Sequence, residues 1–206
     1  MSGIQAIHQA QKIELSGMVA MPFTDYQQQT LLQIAKNSIQ NGLKFQAPLP
    51  VQIEEYSGIL IQQRACFVTL NKQQQLRGCI GSLQAYRPLV IDISNNAYAA
   101  AFSDPRFPAL QQVEFKQLEF HISILEPAEP MSFTSEEDLL SQIRPNIDGL
   151  ILSDQGKKGT FLPSVWQSLT TTKDFWQQLK RKAGLPINHW SDTLMVERYS
   201  TESFSG

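Results

Sequence analysis

The strongest constraint on the fold is a strand–turn–strand pattern within residues 65–80. Residues 65–70 predict a strand, the polar residues 71–75 predict a turn, and residues 76–80 predict a strand that returns beside the first. Another strand pattern lies at residues 118–124, where apolar and polar side chains alternate. This alternation is typical of a strand with one buried face. The chain is therefore expected to contain a hairpin and a further half-buried strand.

Helix signals are interleaved with these strand patterns. Asp25 can cap a helix, with Gln28 three residues later as in a capping box, and Gly42 is expected to end it. Pro88 is expected at the first position of a second helix, whose apolar positions recur every four residues. Residues 172–184 predict a third helix that begins with a threonine and ends at a glycine.

The remaining segments complete the pattern. Residues 149–153 and 160–163 flank a glycine-bearing turn, and residues 193–199 predict a last strand. Residues 1–23 are poorly defined, with a loose helix around residues 4–13. Hairpins interleaved with helices, without a regular strand–helix–strand rhythm, predict an α+β fold with a mostly antiparallel sheet.

Composition favours a single globular domain spanning residues 1–206, since 42% of the side chains are hydrophobic and 17% are charged. The net charge of -2 argues against nucleic-acid binding, which usually requires a basic excess. No segment reads as a membrane span or a signal peptide, so no membrane association is expected. Two cysteines, Cys66 and Cys79, imply no disulfide framework. The cytoplasm is the expected location.

Two dense motifs stand out. The first motif, residues 76–82, combines an arginine, a thiol and two glycines, and the second motif, residues 99–107, ends in Asp-Pro-Arg-Phe. Cys79 is the candidate nucleophile, because a thiol beside a guanidinium loses its proton more easily. The alternative is that Cys79 is a small core residue, since free cysteine is among the most buried residue types.

The arginines also have two interpretations. Arg77 is two residues from Cys79 and is expected to share its strand face. Arg77 can bind an anion in a cleft, or it can brace the fold through a buried ion pair. Asp104 predicts a tight turn, and Arg106 can brace that turn or join Arg77 at an anion. The predicted ligand-binding residues are Arg77, Gly78, Gly81, Ser82, Asp104 and Arg106, and we expect Arg77, Cys79, Asp104 and Arg106 to lie close together.

These motifs and five further segments resemble the AMMECR domain family, whose bacterial and archaeal members are called AmmeMemoRadiSam system protein A. The matching segments are residues 67–70, 76–81, 104–107, 148–151, 162–163 and 182–185, with Trp190. The resemblance implies a two-layer α+β fold with a strongly curved, mostly antiparallel sheet, packed helices and a smaller helical lobe. It also implies a shared pathway with a Memo-type protein and a radical SAM protein.

The resemblance implies no reaction, so two kinds of function stay open. The first is an accessory module that binds a small anionic ligand or a peptide from a partner. The second is an enzyme that uses Cys79 as nucleophile, with Arg77 and Arg106 holding an anionic substrate. No cofactor is implied, and no pair of cysteines or histidines has the spacing of metal ligands. His121 and His189 are interpreted as surface or capping residues.

Overall fold

A computed structural model of the chain describes residues 22–206, and the helix expected at residues 4–13 lies outside them. Four α-helices lie in the described part: α1 (Asp25–Phe45), α2 (Leu89–Phe102), α3 (Glu136–Gln142) and α4 (Thr172–Lys182). The strands are β1 (Cys66–Lys72), β2 (Gln75–Gly81), β3 (Leu118–Leu125), β4 (Glu129–Pro130), β5 (Gly149–Asp154), β6 (Lys157–Phe161), β7 (Met195–Tyr199) and β8 (Thr201–Ser205). None of the helices in this part of the chain is long and apolar enough to cross a membrane.

The strands form two antiparallel sheets of four strands each, so the predicted α+β class is confirmed. The main sheet has the order β2-β1-β3-β8, and the second sheet has the order β4-β7-β5-β6. Residues 126–200 form a second lobe inserted between β3 and β8. The chain enters and leaves this lobe side by side, because the backbone N–H of Glu126 donates to the carbonyl of Ser200.

One face of the main sheet is apolar and packs against α1 and α2. The expected alternation of β3 is confirmed, with Phe120, Ile122 and Ile124 buried. The four-residue repeat of α2 is also confirmed, since its members are all buried: Leu89, Ile93, Ala97 and Ala101. A second core lies between α3, α4 and the second sheet. A small third cluster joins the two lobes and contains Ala65, Leu125, Ile151 and Tyr199.

The ends of three helices differ from the prediction. In α2, Pro88 is the N-cap and Leu89 is the first helical residue. Thr24, not Asp25, caps α1, and its capping box pairs Thr24 with Gln27. Helix α1 also continues past Gly42 to Phe45. Gly42 is required by packing, because a Cβ there would lie 2.3 Å from the ring of Phe102. Helix α4 is capped by Thr171, one residue before the predicted threonine.

Strands β4 and β8 lie outside the predicted strands. Strand β8 was not predicted, because its side chains are mostly polar.

The two cysteines are free and lie on opposite faces of the β1–β2 hairpin. Cys66 is buried against α2, whereas Cys79 pairs with Thr69 on the other face. The hairpin pairing therefore does not bring the two thiols together.

Candidate functional site

The first motif lies on β2, an edge strand whose register contains a bulge. Leu70 pairs with Gly78 and Asn71 pairs with Leu76, so Arg77 is the extra residue. A bulge changes the direction of the side chain it carries. Arg77 and Cys79 therefore have different partners, although both lie near the second motif.

Arg77 is buried in an ion pair. Its Nε and Nη2 donate to the carboxylate of Glu114 at 3.1 and 3.0 Å, and Nη2 also donates to the carbonyl of Pro108 at 2.9 Å. Lys72 donates to the same carboxylate at 2.8 Å. These cations, Arg77 first, lower the pKa of Glu114 to about 2. This arrangement favours the bracing role of Arg77, which is only 8% exposed.

The two glycines of the motif are sites of close packing. A Cβ on Gly78 would lie 2.0 Å from the backbone carbonyl oxygen of Ala100 in α2. A Cβ on Gly81 would lie 2.3 Å from the carbonyl oxygen of Cys66 and 2.4 Å from the ring of Phe67. Glycine thus lets α2 approach β2 and makes room for the Phe67 ring. The hydroxyl of Ser82 donates to the carbonyl of Gln84, in the segment that follows β2.

Asp104 connects the two motifs. Asp104 is 4% exposed, and its carboxylate accepts from the backbone N–H groups of Cys79 and Arg106 at 2.9 and 3.1 Å. It also accepts from Nε and Nη2 of Arg106 at 2.9 and 2.7 Å. The Arg106 guanidinium, together with these backbone donors, holds the pKa of Asp104 well below its usual range. Asp104 thereby attaches the loop after α2 to the edge of β2.

Arg106 and Cys79 are the accessible members of the cluster. The Arg106 side chain is 54% exposed, and its Nη2 lies 3.4 Å from the carbonyl oxygen of Cys79. The two guanidinium groups share one aromatic neighbour, because Arg77 and Arg106 lie 5.9 and 5.5 Å from the centre of the Phe107 ring. Arg77, Cys79, Asp104 and Arg106 therefore lie together, as expected from the two motifs.

Cys79 begins a row of polar side chains across the open face of the main sheet. Thr69 is its partner on β1, His121 is the partner of Thr69 on β3, and Ser205 is the partner of His121 on β8. The Thr69 hydroxyl donates to Cys79 Sγ at 3.0 Å. We call Cys79, Thr69, His121 and Ser205 the polar row. It is the feature that motif analysis missed, although Thr69 and His121 both lie at polar positions of strand patterns.

The next row on this face leads into a cavity between the two lobes. Ser123 and Ser203 are cross-strand partners, and their hydroxyls lie 2.9 Å apart. The cavity has a volume of about 350 Å³ and is lined by polar side chains from both lobes: Ser123, Thr201 and Ser203 from the sheet, and Asn146, Ser164 and Gln167 from the second lobe. We call this the interlobe cavity.

The histidines and acids form no metal centre in the described residues. No group of three or more His, Cys, Asp or Glu side chains between residues 22 and 206 is arranged to hold a metal ion. His189 lies 2.5 Å from the buried carboxylate of Asp154, which also accepts from the hydroxyls of Ser191 and Thr193. This cluster fastens the loop before β7 to the end of β5 and has a structural role.

Comparisons with known proteins agree with this fold. The AMMECR1 family model matches residues 32–204. A protein of Methanothermobacter thermautotrophicus is 32% identical over 189 residues, which cover 89% of this chain and 96% of that protein. A protein of Thermotoga maritima is 36% identical over 148 residues, covering 70% of this chain and 80% of that protein.

A solved structure extends this similarity to three dimensions. The crystal structure of an uncharacterized protein from Pyrococcus horikoshii matches with a TM-score of 0.75 and 30% identity. The match covers 85% of this chain and 89% of the Pyrococcus chain. The family resemblance expected from the two motifs is thereby confirmed, and the chain belongs to the AMMECR1 family.

Proposed function

We propose that the protein is a binding module that holds a small anionic ligand, or an acidic peptide from a partner, on the open face of its main sheet. The observation that supports this proposal most directly is the half-exposed guanidinium of Arg106, which lies beside Cys79. The buried carboxylate of Asp104 orients this guanidinium. An arginine held in this way presents its remaining N–H groups in a fixed direction. The polar row supplies hydroxyl and imidazole groups for the rest of the ligand.

The partners proposed for this module are a Memo-type protein and a radical SAM protein, in the cytoplasm of a bacterium. The proposal follows from the family, because the resemblance to it implies the shared pathway and the family model matches residues 32–204. The three proteins are expected to copurify or to act in sequence on one metabolite. Comparing metabolites in cells with and without this chain tests the pathway, and unchanged levels in cells that lack it contradict the proposal.

The anion site has a direct test with a matched control. Inorganic phosphate is titrated into the labelled protein, and the backbone amide signals of Cys79 and Arg106 are followed by NMR. Arg106→Gln is expected to weaken phosphate binding about tenfold, the usual loss for one charge-assisted hydrogen bond. The control is Arg144→Gln, because Arg144 is also half-exposed, at 52%, on a buried aspartate. Equal binding by both variants and the parent protein refutes the anion site.

A second candidate is an enzyme with Cys79 as nucleophile. The observation that favours it is the Thr69 hydroxyl, which donates to Sγ of a half-buried thiol. Alkylation by iodoacetamide across a pH range tests this candidate, with the buried Cys66 as internal control. A Cys79 rate that rises only near the pH where free thiols ionise contradicts an activated nucleophile.

A further inference from the structure

The interlobe cavity has walls from two separate parts of the fold. Its floor is the edge of the main sheet at β3 and β8, and its opposite wall is the second lobe around residues 162–167, with Asn146 beside them. Its volume of about 350 Å³ falls within the range of small-molecule sites. A molecule in this cavity would contact both lobes at once.

The lining is polar but carries no ionisable side chain. Three serines, one threonine, one asparagine and one glutamine provide hydroxyl and amide groups, and Leu162 and Pro163 provide the apolar part. A charged ligand would find no opposite charge among these side chains. The lining therefore selects uncharged groups that both donate and accept hydrogen bonds.

Most of this hydrogen-bonding capacity is not used within the protein. Ser123 and Ser203 bond to each other. The side chains of Asn146, Ser164, Gln167 and Thr201 form no hydrogen bond with another group in residues 22–206. Each hydroxyl can donate one bond and accept two, and each amide can donate and accept two.

From these observations we infer that the interlobe cavity binds an uncharged polyhydroxylated group of about the size of a pentose. Sugar hydroxyls match side chains that donate and accept, and the C–H faces of a sugar ring match Leu162 and Pro163. The inference goes beyond the proposed function, because it assigns an uncharged ligand to a second site. The cavity lies at β3 and β8, two to three strand spacings or about 10–14 Å across the main sheet from β2, beside which Arg106 lies. They can therefore be tested separately.

Ribose is the probe, and the readout is the saturable shift of the amide signals of Ser164, Gln167, Thr201 and Ser203. The test variant combines Gln167→Met with Thr201→Val, which keeps the shapes of both side chains and removes their polar groups. Loss of two hydrogen bonds is expected to weaken ribose binding at least about fivefold. Gln177→Met is the control, because Gln177 lies beside a separate pocket next to Trp176. Thermal melts check that both variants are folded.

The outcomes separate this inference from the proposed function. Saturable ribose shifts at the cavity that weaken only in the test variant support the inference, and they do so whether or not phosphate binds at Arg106. Phosphate binding at Arg106 without any ribose shift at the cavity overturns the inference and leaves the proposed function standing. Equal ribose binding by the test variant and the control also overturns it, because the lining would then have no part in recognition.

Discussion

Replacing Arg77 by methionine is expected to destabilise the fold strongly. The Arg77 and Glu114 side chains are 10% and 15% exposed, so the substitution leaves a largely buried carboxylate without its main partner. Deleting one member of a buried ion pair typically costs 3–5 kcal/mol. Lys72 still contacts Glu114 at 2.8 Å and is 30% exposed, which places the expected cost near the lower limit, at about 3 kcal/mol.

For a chain of this length, such a cost corresponds to a fall in Tm of about 6–12 °C. Differential scanning calorimetry at neutral pH measures it. The double variant Arg77→Met with Glu114→Gln is expected to recover much of the loss, because a neutral glutamine is far less costly to bury than an unpaired carboxylate. Lys72→Met serves as the more exposed control and is expected to lower Tm only slightly.

A Tm of Arg77→Met within about 2 °C of the parent protein would contradict the bracing role of Arg77, since that shift corresponds to less than about 1 kcal/mol. Such a result, together with lost phosphate binding by Arg77→Met, would assign Arg77 to ligand binding and not to bracing the fold. A double variant that is less stable than Arg77→Met would also contradict the argument, because the unpaired charge would then not be the cause.

Three further outcomes are expected. Gly78→Ala should lower Tm by several degrees, because the new Cβ meets the Ala100 carbonyl. Gly58→Ala should lower Tm less, because Gly58 has a φ of 60° but open space around it. Equal falls of Tm in thermal melts would contradict close packing at Gly78. Hydrogen bonds from Thr193 and then His189 lower the pKa of Asp154 to about 2, so its stabilisation is present above pH 4 and lost as the pH falls toward 2. Asp154→Asn should therefore flatten Tm against pH in that window, and an unchanged slope would show that Asp154 is not the titrating group. Burial raises the pKa of the Cys66 thiol, and the neighbouring Asp92 raises it further. Cys66 should therefore react with Ellman's reagent only after unfolding, and rapid reaction in the native protein would contradict its burial.

Local patterns predicted the elements well where one face is buried. Strand β3 and helix α2 were predicted because their apolar side chains recur with the period of a strand and of a helix. The start of α1 was displaced by one residue because Thr24 with Gln27 and Asp25 with Gln28 satisfy the same capping pattern. Sequence alone cannot decide between such equivalent neighbours, since the choice depends on packing.

Features that depend on distant pairings could not be predicted. The residues of β8 are mostly polar and form an edge strand, so no buried face marks them as a strand. The bulge at Arg77 depends on how β2 pairs with β1, and two-residue alternation placed Arg77 and Cys79 side by side. The polar row depends on the order β2-β1-β3-β8, which brings residues from four separate segments together.

The contacts divide the motif residues into two groups with different consequences for function. Arg77, Gly78 and Gly81 have their nearest neighbours inside the fold, in Glu114, α2 and the Phe67 ring. Their presence in the motif is accounted for by packing, so it is not evidence for a ligand. Cys79 and Arg106 differ, because both border the open face of the sheet.

The open face also limits the chemistry that Cys79 can perform without a ligand. His121 is two strands from Cys79 in the polar row, and this spacing places their Cβ atoms about 10 Å apart. Direct proton transfer requires about 3 Å between heavy atoms, and no hydrogen bond joins His121 to the sulfur of Cys79 within residues 22–206. Thr69 lies between them, but its hydroxyl already donates to Sγ. A ligand lying along the row would contact the thiol and the imidazole together, which is why the geometry supports binding more directly than catalysis.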